Sequence, residues 1–142
     1  MVDRHDLMVG NWLKIPQKII RVSNVVSNGV ISDTTIYQEE RIDPIPVTVD
    51  MLKRIGFEEY EDLPLEGKFY RYWDKDYKYK LDVRNFWTNS RREWYIHIDN
   101  DVCNTIGSGE FGHVHELQNL VRCVTGFSLP ITKEMIDGLE SR

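Results

Sequence analysis

Histidines and carboxylates in the second half of the chain are its first candidates for chemistry. Two imidazoles and a carboxylate held on neighbouring elements can bind Zn²⁺ or Fe²⁺. One hypothesis is therefore a metal-dependent enzyme built on His97, Asp99, His113 and His115, with Asp101 and Glu116 close by in the sequence. The spacing matches no metal motif, because a His-Glu-x-x-His helix would need a second histidine at position 119, which is Asn. The simpler interpretation places His97 on a solvent face and His113 or His115 at a helix start.

Nucleophilic catalysis finds less support in the sequence. Cys103 lies near Asp101, but no Cys-His signature surrounds it. Ser108 lies between two glycines without the five-residue Gly-x-Ser-x-Gly elbow, and no Gly-Lys-Ser/Thr follows to form a phosphate loop. We therefore predict no catalytic residue and no cofactor, and a non-enzymatic protein is favoured.

A basic and aromatic segment over residues 68–94 is the second candidate site. It holds eight Lys or Arg residues against four acids, within a chain of net charge −5. Exposed rings on a sheet can stack on bases while cations follow a phosphate backbone. The alternative prediction is thus that this segment binds single-stranded nucleic acid. The simpler interpretation is that its rings belong to the core. The candidate residues are Lys68, Arg71, Tyr72, Trp73, Lys78, Lys80, Arg84 and Trp87.

Composition limits the class of protein. A chain of 142 residues is long enough for one domain with its own core, and its acidic balance argues against general binding of nucleic acids or anionic membranes. Two cysteines do not make a disulfide framework, and Cys123 is predicted to be a buried reduced thiol. No signal-peptide core and no apolar run of about 20 residues is present, so a cytoplasmic protein is expected.

Hydrophobic periodicity and turn residues predict the elements that must position these side chains. A β-meander is predicted over 8–42, with a type I′ turn at Asn28-Gly29. A second set of strands is predicted over 57–106. Residues 104–112 are predicted to be loose because they hold three glycines.

Three helices complete the predicted element order. The first covers 48–56 between the caps Thr48 and Gly56, the second covers 114–125, and a short one covers 132–140. The sequence thus predicts one α+β domain over 1–142, a curved, mainly antiparallel sheet or partial SH3-like barrel, covered by two helices plus the short C-terminal helix. The predicted core is Trp12, Ile20, Val22, Ile31, Leu52, Ile55, Phe57, Leu81, Val83, Ile96, Val114, Leu117, Leu120, Val121 and Val124.

Three stretches of the chain together form a recognisable pattern. They are Gly10-Asn11-Trp12, the segment from Ile45-Pro46-Val47-Thr48 to Gly56-Phe57, and the segment from Val114-His115-Glu116-Leu117-Gln118-Asn119-Leu120 to Thr125-Gly126. In this order they resemble a group of small proteins of gut anaerobes and their prophages, and the chain departs from that group at Val121-Arg122-Cys123, where an aromatic is usual. The resemblance implies an accessory protein of a phage or mobile element and no catalytic residue.

The function expected from the sequence is therefore that of a small cytoplasmic accessory or binding protein. A protein partner is expected, nucleic acid is the alternative partner, and no membrane association is expected. The sequence specifies no oligomeric state.

Overall fold

A computed structural model describes residues 2, 6–62, 67–74, 78–88, 91–100 and 104–140, with side chains left out at 62, 67, 86–88, 91–93 and 137–140. The described chain clusters into two compact units. The first comprises residues 1–47 and 113–119, and the second comprises 48–112 and 120–142. A single domain over 1–142 stays a prediction.

The first unit contains two small antiparallel sheets. Strands β1 (Trp12–Ile15) and β2 (Lys18–Arg21) form a hairpin. Strands β3 (Asn24–Val26), β4 (Gly29–Ser32) and β5 (Thr35–Gln38) form a meander in that order, followed by a 3₁₀ turn over Glu39–Arg41. Their shared core holds the buried residues Val2, Leu7, Leu13, Ile20, Val22, Val30 and Ile42.

The predicted type I′ turn at Asn28-Gly29 is wrong. Gly29 already belongs to β4, where it is paired with Val26 on one side and Gln38 on the other. Neither Asn28 nor Gly29 has the positive φ that a type I′ turn requires. A Cβ on Gly29 would lie 2.0 Å from the Tyr37 carbonyl oxygen. The glycine is therefore required by the close approach of β5 and not by turn geometry.

An amide network connects the N-terminal segment of the first unit to the helix α2 (Val114–Thr125). Gln118 Nε2 donates to the Gly10 carbonyl at 3.0 Å, and Gln118 Oε1 accepts from the Trp12 amide at 3.0 Å. Asn11 is 2 % exposed, and its Nδ2 donates to Asn119 Oδ1 at 2.8 Å while its Oδ1 accepts from the Met8 amide at 2.7 Å. The Gly10-Asn11-Trp12 and Gln118-Asn119 motifs thus bind each other, which gives them a structural role.

The second unit contains a five-stranded antiparallel sheet in the order β10-β9-β8-β7-β6. Its strands are β6 (Glu58–Asp62), β7 (Gly67–Trp73), β8 (Tyr79–Thr88), β9 (Arg91–Asn100) and β10 (Thr105–Phe111). Helix α1 (Val49–Ile55) and helix α3 (Lys133–Glu140) contact each other. The segments Asp74-Lys75-Asp76 and Thr88-Asn89-Ser90 are also predicted from the sequence to be turns, and both lie largely outside the described residues.

Strand β10 contradicts the prediction of a loose segment over 104–112. Its glycines serve packing, since a Cβ on Gly107 would lie 2.7 Å from Val124 and one on Gly109 would lie 3.1 Å from Leu120. Both partners belong to the C-terminal half of α2. Glycine therefore lets helix and strand approach closely within the second unit, and its abundance there does not indicate a loop.

The helix ends follow ordinary capping chemistry. Thr48 Oγ1 accepts from the Met51 amide at 3.2 Å to begin α1, and Gly56 ends it with a φ of 123°. Gly126 ends α2 with a φ of 83°. The predicted boundaries 48–56, 114–125 and 132–140 therefore differ from the observed helices by one residue at most.

Most of the predicted core is buried. Ile31, Leu120 and Val124 are only partly buried, and the other twelve predicted residues are buried. Cys123 is exposed, so its predicted burial is wrong. It lies beside the buried face of α2 and not on it. The α+β class with mainly antiparallel sheets is confirmed, and the described strands close no barrel.

Candidate functional site

One face of the five-stranded sheet collects aromatic rings and charges, and we call it the outer face. Strand alternation and the pairing register place on it a set of residues that face away from the buried Tyr70, Leu81, Val83, Ile96 and Ile98. The outer-face residues with described side chains are Glu58, Tyr60, Phe69, Arg71, Trp73, Lys80, Asp82, Arg84, Tyr95, His97, Asp99, Thr105, Ser108 and Glu110.

Arg71 is the centre of this face. Its Nε and Nη2 donate to the two carboxylate oxygens of Asp82 at 2.7 and 3.0 Å, a bidentate pair between adjacent strands. The hydrogen bond to Asp82 raises the pKa of Arg71 above its ordinary value. Its guanidinium carbon also lies 5.3, 5.1 and 5.9 Å from the ring centroids of Tyr60, Phe69 and Trp73. Charge pairing and cation–π contacts together hold this side chain in one place.

The rings around Arg71 combine order with exposure. Tyr60 and Phe69 stack with centroids 5.3 Å apart, and Arg84 lies 4.8 Å from the Phe69 centroid. The Tyr60 hydroxyl donates to Glu58 at 3.2 Å. Trp73 is nevertheless 41 % exposed and Tyr60 is 37 % exposed. A partner could therefore contact large rings whose rotamers are already restrained.

A polar ladder runs beside Trp73 across the next strands. Lys80 Nζ lies 3.2 Å from Asp99 Oδ2, and the Thr105 hydroxyl donates to Asp99 Oδ1 at 2.9 Å. The side chains of Lys80 and Asp99 are only 16 and 14 % exposed. Lys80 and Asp99 are thus largely buried and already bound, so little of either charge is open to a partner.

The sheet divides the predicted basic and aromatic set. Arg71, Trp73, Lys80 and Arg84 share the outer face. Strand alternation places Lys68 and Tyr72 on the opposite face. There Lys68 Nζ lies 3.5 Å from Glu59 Oε2, and the Tyr72 ring packs against the Phe57 ring. Burial, followed by the nearby Asp74, raises the pKa of Tyr72. Lys78 is exposed just before β8, and the side chain of Trp87 lies outside the described residues.

Comparison with known proteins finds no matching family model, and no curated protein or solved structure is significantly similar.

The predicted metal residues belong to different units, His97 and Asp99 to the second and His113 and His115 to the first. His97 packs edge-on against the Tyr95 ring at 5.1 Å, and Asp99 is bound by Lys80 and Thr105. Within the described part of the chain, no three His, Cys, Asp or Glu residues are grouped to hold a metal ion. Asp101 and Cys103 lie outside that part.

His113 and His115 instead shape the start of α2. The Glu116 carboxylate accepts from the His113 amide at 3.0 Å and lies 2.6 Å from His113 Nδ1, which satisfies a donor at the helix start. The two imidazoles stack at 5.9 Å. His115 is 5 % exposed, and among the described residues its Nδ1 has no hydrogen-bond partner. Burial lowers its pKa, and this effect outweighs the nearby Glu116 carboxylate, which raises it. Sequence alone predicted neither this burial nor the stacked pair.

Sequence reasoning also missed Tyr60 and Asp82 as members of the outer face. Tyr60 lies on β6, outside the basic segment, and Asp82 is an acid within it. The alternation along β8 was visible in the sequence, but the partner strands that align Asp82 with Arg71 follow only from the register.

Proposed function

We propose that this protein is a non-enzymatic binding protein that recognises a protein partner through the outer face. The observation that supports it is Arg71, which is paired with Asp82 while it lies within about 6 Å of three rings. Trp, Tyr and Arg are the residues that most often dominate the energy of protein interfaces. Restrained side chains also lose less conformational entropy when a partner binds.

The charges of the outer face favour protein over nucleic acid. Among its described side chains, three cations, Arg71, Lys80 and Arg84, are accompanied by four carboxylates, those of Glu58, Asp82, Asp99 and Glu110. A nucleic-acid groove follows the phosphate backbone with an excess of positive charge, which the described side chains of this face do not have. A charge-balanced face with exposed rings instead matches a partner that has an apolar centre and a mixed polar rim.

Affinity capture from a lysate of the cells that carry the gene tests this proposal. The baits are the wild-type chain, Trp73→Ala, Tyr60→Ala and the control Val9→Ala. Val9 is an apolar residue of the first unit that is 52 % exposed, more than either ring. We expect one protein to be retained by wild type and control and lost from both ring variants. Retention by all four baits would contradict the proposal.

Single-stranded nucleic acid is the second candidate, favoured by the presence of Arg71, Trp73, Lys80 and Arg84 on one face. It requires quenching of tryptophan fluorescence by single-stranded DNA or RNA, with affinity that falls steeply between about 50 and 200 mM salt. It also requires that Trp73→Ala weakens that binding. Such a result would replace the protein partner by a nucleic acid.

The compartment and origin are part of the same proposal. An exposed free thiol at Cys123 fits a reducing compartment, which supports a cytoplasmic protein. No helix in the described ranges is both long and apolar enough to cross a bilayer. The pattern shared with small prophage proteins supports an accessory protein of a phage or mobile element.

A further inference from the structure

Strand β5 forms an edge of the three-stranded meander, and no described strand lies beside it on the side away from β4. The meander has the order β3-β4-β5, and none of the described residues pairs with the far side of β5. At its centre, Ile36 is 61 % exposed, the largest exposure among the described large apolar residues. An edge with an exposed β-branched residue is a template for another strand.

The hydrogen-bond pattern shows which backbone groups this edge presents. The Glu39 amide donates to the Asn28 carbonyl at 3.0 Å, across from the start of β4. In an antiparallel ladder the residues that bond to one neighbour alternate with those that point away. Thr35, Tyr37 and Glu39 therefore face β4, while the amide and carbonyl groups of Ile36 and Gln38 point outward. Side-chain alternation places Ile36 beside Ile31, on the face opposite to Tyr37 and Val30.

The meander is almost free of charge. Residues 24–38 contain one charged side chain, Asp33, in a chain that is 29 % charged with a net charge of −5. Natural edge strands are usually protected by Lys, Pro or inward charges, and β5 has none of these. Because two copies of an acidic chain repel each other, a contact between copies is least opposed along an uncharged stretch. Residues 34–38 form such a stretch, and Asp33 and Glu39 flank it.

We propose that β5 pairs with β5 of a second copy of this chain, antiparallel, with Ile36 on the two-fold axis. Side chains that face each other across an antiparallel pair must lie on the same face of the sheet, so the pairing must be centred on a residue. Ile36 meets this condition, because its outward amide and carbonyl would bond to those of Ile36 in the second copy. Gln38 would then pair with Thr34, and the six strands would form one continuous sheet.

The symmetry of this arrangement is the reason to choose a second copy over a foreign strand. A two-fold contact uses one surface twice, and β5 offers to itself the same outward groups and the same uncharged side chains. Strand β5 belongs to the first unit, and the outer face belongs to the second.

Disulfide trapping tests the register directly. Ile36→Cys is made in a Cys103→Ser, Cys123→Ser background, with Val9→Cys in the same background as the control. Paired residues that exchange both hydrogen bonds lie about 5.5 Å apart at Cα, which a disulfide can span. We expect Ile36→Cys to form a disulfide-linked dimer on mild oxidation much faster than Val9→Cys does. Equal rates for the two variants would overturn the proposal.

Sedimentation of the unmodified chain supplies the second measurement. We expect a dimer to be detected at protein concentrations raised to about 100 μM, because an interface of micromolar affinity is populated at that concentration. Ile36→Lys should shift it to monomer with an unchanged circular dichroism spectrum, because the side chain is exposed and only the edge contact is lost. A wild-type chain that remains monomeric contradicts the proposal, and if Ile36→Lys then abolishes binding of another protein, the edge belongs to a foreign strand.

Discussion

Replacing Asn11 by alanine removes the side chain that connects the N-terminal segment to α2 within the first unit. Asn11 is buried and makes two short hydrogen bonds, one from the Met8 amide at 2.7 Å and one to Asn119 Oδ1 at 2.8 Å, plus a longer one to Gln118 at 3.4 Å. The alanine variant deletes these bonds and leaves the Met8 amide and the Asn119 carbonyl oxygen without those partners.

The expected loss of unfolding free energy follows from those bonds. Each net hydrogen bond contributes about 1 kcal/mol, and a buried polar group left without a partner costs about 1–3 kcal/mol. Asn11→Ala should therefore destabilise the protein by about 2–4 kcal/mol. In a double-mutant cycle with Asn119→Ala, the coupling energy should exceed about 0.5 kcal/mol, since the two side chains share a bond.

Urea unfolding followed by circular dichroism measures this loss. The control is Asn24→Ala, which removes only a local bond from the Val25 amide at an exposed position of β3, and it should cost less than about 0.5 kcal/mol. The nearly isosteric Asn11→Asp gives a sharper test, because a carboxylate cannot donate to Asn119 Oδ1, whereas the single O–H of a protonated acid can. Its deficit relative to wild type should shrink as the pH falls from 7 towards 4.5. A loss below about 0.5 kcal/mol for Asn11→Ala would refute the assigned role.

Three further predictions concern stability. Burial lowers the folded-state pKa of His115 below 6.5, so the unfolded state takes up a proton on this histidine first as the pH falls. The free energy of unfolding should therefore fall as the pH drops below about 6.5. His115→Leu should reduce that pH dependence in urea titrations from about pH 7.5 to 5. Thr48→Ala should cost about 1 kcal/mol in urea unfolding through loss of the bond to Met51, while Thr48→Ser should cost little. Gly107→Ala should cost about 1–3 kcal/mol in thermal unfolding, because its Cβ would lie 2.7 Å from Val124, and a neutral result would contradict the close helix–strand contact.

The elements whose signals are local were predictable from the sequence. Thr48 and Gly56 mark the ends of α1, and the apolar spacing from Val114 to Val124 marks α2. Glycines misled the prediction where they serve packing: Gly29 accommodates the Tyr37 carbonyl, and Gly107 accommodates Val124. A glycine required by a close approach looks the same in sequence as a glycine in a turn, and only the tertiary neighbour distinguishes them.

The candidate site was only partly predictable, because its composition also depends on tertiary neighbours. The segment 68–94 contains most of the residues at its centre, but alternation sends Lys68 and Tyr72 to the opposite face. Register brings Asp82 to Arg71 and Tyr60 to Phe69, and register depends on strand pairing that one sequence does not specify. The charge balance that favours a protein partner therefore becomes visible only when the strands are aligned.

Site-specific photo-crosslinking tests the proposed binding face most directly. A photoreactive phenylalanine analogue is placed at Trp73, at Tyr60 and, as the control, at Val9, and the chain is irradiated in the cells that carry its gene. We expect one protein adduct shared by positions 60 and 73 and absent at position 9. Nucleic-acid adducts at 60 and 73, or the same protein adducts at all three positions, would contradict recognition of a protein partner by the outer face.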